Sequence, residues 1–219
     1  MISVTSPAKT WAINKKPVKK RFHLIFGLAT LLALLIIPAA HAAPDSVQDA
    51  SSPYDAPLPD FSTPVTLEEV RLAYYRYSAV SIVKKLHENH AANWKMIMSR
   101  VEKGDPDWIA YSARYISPGT DAGATTGYTV ALALALPNNP KAVLELETGG
   151  GGRSLLAVCT LPFIEPEYDF IRAYGKKTLD ALREVKDDYL LESRDTCIRR
   201  LQNSLEMAEK RKAEGKWQW

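Results

Sequence analysis

The chain has 219 residues, of which 28 are Lys or Arg and 25 are Asp or Glu, and its formal net charge is +3 at pH 7. Six of the basic residues and none of the acidic ones lie in residues 1–42, so residues 43–219 carry a net charge of −3. Nucleic-acid binding rests mainly on basic charge facing phosphate. A mildly acidic domain is a poor candidate for that class, and we expect no nucleic-acid partner.

Residues 1–42 end in the three-part layout of a secretory signal peptide. A basic leader precedes an apolar run of 14 residues at 24–37, which is followed by Pro38 and by small residues at Ala40 and Ala42. We predict cleavage after Ala42 and a periplasmic or secreted product with no membrane anchor. The alternative is an uncleaved anchor, which the run disfavours because a membrane span needs about 20 apolar residues.

Residues 43–65 are rich in proline and aspartate and contain no Lys or Arg. Proline removes backbone donors, and the segment has too few apolar groups to offset the entropy of ordering it. We predict a disordered linker. The alternative is that Tyr54, Leu58 and Phe61 dock on the following domain or on a partner.

A helical domain is predicted over residues 66–214, and a capping box marks its start. The Thr66 side chain can cap the backbone of Glu69 while the Glu69 side chain reaches back to Thr66. Apolar residues then continue at helical spacing, which predicts one helix over 66–86 with Leu72 in its apolar stripe.

Six further helices are predicted from caps, stops and helical spacing, at 91–103, 106–116, 121–136, 140–146, 166–186 and 189–213. Large and small side chains alternate at 130–136, so period alone also permits a strand there, although alanine favours a helix. Gly175 is expected to weaken its helix by about 1 kcal/mol relative to alanine. The predicted fold is a compact all-α bundle of about six to seven helices, stacked as helical hairpins.

Two short segments complete the predicted organisation. Residues 149–154, which are mostly glycine, form a flexible break before a short apolar piece at 155–158. Residues 215–219 form a frayed C-terminal tail. Its two tryptophans follow several basic residues, so binding at a membrane surface is the alternative.

The chain has two cysteines, Cys159 and Cys197. In an oxidising compartment an isolated pair forms a structural disulfide, which is our prediction. The alternative is a reactive thiol, which a CxxC spacing would favour, but that spacing is not present.

No residue set in the sequence reaches a catalytic signature, and we expect no metal and no cofactor. His87 and His90 could share one face of a helix, but two ligands are too few for a metal site. The glycine run with Arg153 could cradle an anion, but it lacks the Gly-Lys-Ser/Thr ending of a phosphate loop. Carboxylate pairs stay open as an acid and base, namely Glu145 with Glu147 and Glu165 with Glu167.

Aromatic residues are dense in the first half of the predicted domain. Such residues are common both in cores and at interfaces. Six of them are candidate binding residues: Tyr74, Tyr77, Trp94, Trp108, Tyr111 and Tyr115. We therefore predict a non-enzymatic exported module that binds a protein of the cell envelope, in an inhibitor or immunity-type role. The alternative is a carboxylate-dependent envelope hydrolase that acts on glycans.

Overall fold

The computed structural model describes residues 57–148 and 155–217, which belong to one compact unit. The predicted signal peptide, the start of the predicted linker and the glycine run lie outside these residues. The described residues form nine α-helices: α1 Leu67–Tyr74, α2 Ala79–Leu86, α3 Glu88–Glu102, α4 Pro106–Tyr111, α5 Ala122–Ala135, α6 Pro140–Thr148, α7 Leu155–Val158, α8 Tyr168–Arg183 and α9 Leu191–Ala213. The prediction of a compact all-α fold is confirmed.

The first predicted helix is in fact two helices, α1 and α2. The capping box at Thr66 forms as expected, but α1 ends after Tyr74. Ser78 then adopts an extended conformation, and its hydroxyl accepts a hydrogen bond from the backbone N–H of Ser81, which starts α2. The break between the helices changes which side chains reach the core.

Helix α3 begins with an unusual turn, and the loop after it is bonded to the start of α6. Asn89, His90 and Ala91 have φ angles of 52°, 57° and 59°, so the first turn is left-handed. At the other end, the Asn139 amide donates to the carbonyl of Gly104, while its oxygen accepts from the backbone of Ala142. Asn139 thus joins the loop after α3 to the start of α6, while the Asn138 side chain donates to the carbonyl of Glu102, the last residue of α3.

Helix α4 continues into a π-helical turn at Ser112–Ile116 and a short 3₁₀ turn at Ser117–Gly119. A second 3₁₀ turn, Asp188–Leu190, leads into α9. The main helix pairs are α3 with α5 and α8 with α9. One apolar core joins all nine helices, and its largest fully buried side chains include Tyr128, Ile97, Ile171 and Leu182.

Two buried hydroxyl groups have partners from other helices. The Ser112 hydroxyl donates to Tyr128, and the Tyr174 hydroxyl donates to the carbonyl of Ala133. Burial raises the pKa of Tyr174, so its phenol stays protonated.

A disulfide joins Cys159, which follows α7, to Cys197 in α9, as predicted. Both residues are buried. The bond closes a loop with a sequence separation of 38 and fixes the end of α7 against the last helix.

Residues 57–66, which we call the strap, lie along α1 and α2. The Tyr77 hydroxyl donates to the carbonyl of Pro57, the Asp60 carboxylate pairs with Lys85 at 2.5 Å, and Phe61 packs against the core. Further along the strap, the Asn93 side-chain amide donates to the carbonyl of Ser62, and its oxygen accepts from the backbone N–H of Val65. The last part of the predicted disordered linker is therefore ordered, because bonds from distant residues hold it.

In the described part of the chain, no helix combines the length and the apolar character of a membrane span. Residues 209–216 are exposed, but Trp217 is half-buried and its ring meets that of Tyr168 edge to face at 5.2 Å.

Candidate binding surface

The six predicted binding residues separate into a buried group and a surface group. Trp94, Trp108 and Tyr115 are buried members of the core. Tyr77 and Tyr111 are half-buried, whereas Tyr74 is 38% exposed. The structure therefore does not bring all six together in one groove.

Three of these aromatic rings do form a chain that connects α1 to the π-helical turn. Tyr74 meets Tyr115 edge to face with centroids 4.9 Å apart, and Tyr115 meets Tyr111 in the same way at 5.3 Å. The guanidinium of Arg114 lies 5.4 Å from the Tyr115 ring. This arrangement places Tyr74 at the border between the core and solvent.

Further large exposed side chains lie close to Tyr74 in the sequence, at the end of α1 and the start of α2. Leu72 is 54% exposed and Tyr75 is 65% exposed, and Val80 at the start of α2 is 64% exposed. With Tyr74, they make up four of the nine large hydrophobic residues that are exposed in the described part of the chain. We call Arg71, Leu72, Tyr74, Tyr75 and Arg76 the α1 surface.

Arginine side chains give the α1 surface its charge. Arg71 makes a forked contact with Glu68, donating at 2.8 Å and 2.6 Å to its two carboxylate oxygens. This contact holds the pKa of Glu68 below its usual value, and it raises the pKa of Arg71. The Arg71 guanidinium also lies 5.9 Å from the Tyr75 ring.

Arg76 and Arg114 are both exposed, and neither has an ion pair with another described residue. Arginine and tyrosine, with tryptophan, are the residue types enriched among those that dominate the energy of a protein interface. The α1 surface therefore combines apolar area with one cation, Arg76, that can still pair with a carboxylate.

A cavity of about 420 Å³ separates the strap from α1. Its apolar walls come from Phe61, Leu72 and Tyr77, and Arg76 stands at its edge. The strap side is held rigidly by Glu69, whose carboxylate accepts hydrogen bonds from the backbone N–H and hydroxyl groups of Ser62 and Thr66.

Burial alone would raise the pKa of Glu69, but these hydrogen bonds outweigh burial and lower it to about 2. Glu69 is therefore ionised at neutral pH. It anchors the strap, and its carboxylate already accepts the four hydrogen bonds described above.

Other candidate groups are used within the fold. The Nδ1 atom of His87 contacts the carbonyl of Val83, and its ring stacks on Trp94 at 4.4 Å. His90 is exposed. Among the described residues, no group of three or more His, Cys, Asp or Glu side chains could hold a metal ion.

The four candidate acid and base residues are not arranged as facing pairs. Glu145 accepts a hydrogen bond from the Tyr189 hydroxyl at 2.5 Å. Glu147 is two residues further along α6, so its side chain leaves the helix on another side. Glu165 and Glu167 are exposed near the start of α8.

Sequence reasoning missed most of the α1 surface. It predicted one continuous helix over 66–86 and assigned Leu72 to the buried apolar stripe of that helix. Ser78 could have indicated the break, because serine is a favoured N-cap residue and Ser78 follows about three turns of helical spacing. Without the break, the exposure of Tyr75 and the position of Arg76 could not be inferred.

Comparisons of the chain with models of protein families, with curated proteins and with solved structures found no match.

Proposed function

We propose that this chain is an exported helical module that binds another protein through the α1 surface. The observation that carries the proposal is that three large hydrophobic side chains, Leu72, Tyr74 and Tyr75, are exposed within four residues at the end of α1. Single exposed hydrophobic residues are normal on soluble proteins, whereas clusters with polar edges mark interaction sites.

The composition of the surface favours a protein partner. Tyr75 and Tyr74 offer large rigid contact areas at a low entropic cost, and Arg71 is already held in place by Glu68. The rigid strap on one side and the aromatic chain on the other keep this end of α1 in a fixed position. A preorganised surface loses little freedom when it binds.

Export supports an envelope partner. The signal-peptide layout of residues 1–42 and the disulfide between Cys159 and Cys197 both fit an oxidising compartment. We propose an inhibitor or immunity-type role for an envelope enzyme, which is the kind of binding that needs no chemistry from the module itself.

Affinity capture from an envelope fraction tests the proposal, with the exported form as bait. We expect the unmodified bait to capture a protein. The double variant Leu72→Ala with Tyr75→Ala should capture at least tenfold less of that protein. The matched control is Ile164→Ala combined with Met207→Ala, which removes two exposed hydrophobic side chains elsewhere. Equal capture by both double variants, each with an unchanged circular dichroism spectrum, would exclude the α1 surface as the interface.

If the captured protein is an enzyme, its activity should fall on addition of the purified module at a one-to-one ratio. An activity that does not change would exclude the inhibitory role and leave binding as the function.

A further inference from the structure

The residues just before the strap continue its chemistry. Residues 49–56 contain two aspartates, Tyr54 and Pro53, and no Lys or Arg. They belong to the same proline- and aspartate-rich stretch as the strap, which lies on α1 and α2 by pairing Asp60 with Lys85 and packing Phe61 against the core. The strap shows that this composition is suited to docking on these helices.

The strap begins beside the α1 surface. Its Ser62 end bonds Glu69 near the start of α1, and its Pro57 end accepts a hydrogen bond from Tyr77, just past the end of α1. The strap therefore runs antiparallel to α1. The Pro57 end of the strap therefore lies near Tyr75 and Arg76, which line the same cavity as Pro59 and Asp60 of the strap.

We propose that residues 49–56 cover the C-terminal part of the α1 surface, with the Tyr54 ring against Leu72 and Tyr75 and the Asp55 carboxylate paired with Arg76. Two residues span at most about 7 Å, so Asp55 stays within reach of an arginine side chain near Pro57. Arg76 is exposed, has no ion pair with another described residue and lines the cavity between the strap and α1.

Chain connectivity strengthens the contact. A segment tethered this closely acts at a millimolar effective concentration, so weak individual contacts suffice to occupy the surface. An exposed ion pair and one aromatic contact are weak enough to be displaced. If the proposed function holds, residues 49–56 act as a built-in competitor, and the partner offers a carboxylate and an apolar side chain in their place.

Photo-crosslinking in the full exported chain tests the inference, with Tyr54 replaced by benzoylphenylalanine. Trypsin cleaves after Arg71 and Arg76, so the expected acceptor is the peptide of residues 72–76. We expect most crosslinks in that peptide, with a yield independent of protein concentration. Crosslinks spread over other helices would overturn the inference.

Charge variants give a sharper criterion. Arg76→Glu should lower the crosslink yield at least fivefold, with the acceptor peptide then extending to Lys84, and combining it with Asp55→Arg should restore the yield to within twofold. The matched control is Arg200→Glu on the exposed side of α9, which should change the yield less than twofold. An equal effect of Arg76→Glu and Arg200→Glu would overturn the inference.

Mixing chains labelled with ¹⁵N and unlabelled chains separates the remaining outcomes. Crosslinks within one chain support the inference, whereas mixed-label crosslinks assign the surface to a second copy and overturn it. The crosslinking result is independent of the affinity-capture result. If the double variant Leu72→Ala with Tyr75→Ala loses the captured partner, the proposed function is supported even if residues 49–56 do not cover the surface.

Discussion

Gly119 lies so close to Ala79 that a Cβ atom at position 119 would be 2.1 Å from both the carbonyl carbon and the carbonyl oxygen of Ala79. Both sides of this contact are backbone, at the end of the 3₁₀ turn and at the start of α2. We expect Gly119→Ala to lower the free energy of unfolding by about 3 kcal/mol, because a helix start must move to relieve the overlap. Thermal or urea unfolding followed by circular dichroism measures the change.

Gly127 provides the matched control for this prediction. It lies inside α5, and a Cβ atom there would have no neighbour within 4 Å. Gly127→Ala should therefore stabilise the protein by about 0.5–1 kcal/mol, since alanine has the higher helix propensity. A similar loss of stability in both variants would show that close approach to Ala79 does not explain Gly119.

The boundaries of most helices could be predicted because the signals are local. Thr66 with Glu69, Gly104 and Asp105 with Pro106 each set a boundary within a few residues, and each appears in the structure as expected. The strap could not be predicted in this way. It is ordered by Tyr77, Lys85 and Asn93, which are distant in sequence and act only after the helices have packed.

The candidate site shows the same division. The density of aromatic residues is visible in the sequence, and an interface was one of its two interpretations. Which rings are buried depends on how α1 packs against the π-helical turn, so Tyr115 and Tyr74 could not be told apart.

The Glu69 anchor predicts a dependence of stability on pH. Its pKa is lowered from 4.5 to about 2 in the folded protein, so it stabilises the fold above pH 4.5 and this contribution is lost as pH falls from 4.5 to 2. Partial exposure to solvent limits the size of the contribution to about 1–2 kcal/mol. Urea unfolding at pH 7 and at pH 2.5 should show that Glu69→Gln destabilises at pH 7 and much less at pH 2.5. A constant difference between the two proteins would contradict this role.

The disulfide should contribute most of its stabilisation through the unfolded chain. A closed loop of about 38 residues corresponds to roughly 4 kcal/mol in the chain-entropy model. Cys159→Ala, Cys197→Ala and the double variant should lose similar amounts of stability, and reduction of the unmodified protein should have the same effect. Strongly unequal single variants would indicate that one thiol has a separate role.

Gly175 is placed where α8 crosses α9, and its helix-weakening effect is secondary. A Cβ atom at this position would lie 2.5 Å and 2.7 Å from the two δ-carbons of Leu205. We expect Gly175→Ala to destabilise by about 1–2 kcal/mol, because overpacking outweighs the gain in helix propensity. Leu205 is half-buried, so its side chain can relieve part of the overlap by moving.

A double-mutant cycle tests this assignment. In a Leu205→Ala background the obstructing methyl groups are absent, so Gly175→Ala should be neutral or should stabilise by up to about 1 kcal/mol. The expected coupling between the two positions is at least about 1 kcal/mol, measured by urea unfolding. If the two effects add to within about 0.5 kcal/mol, then Leu205 is not the reason for glycine at position 175, and the approach of α9 to α8 is set elsewhere.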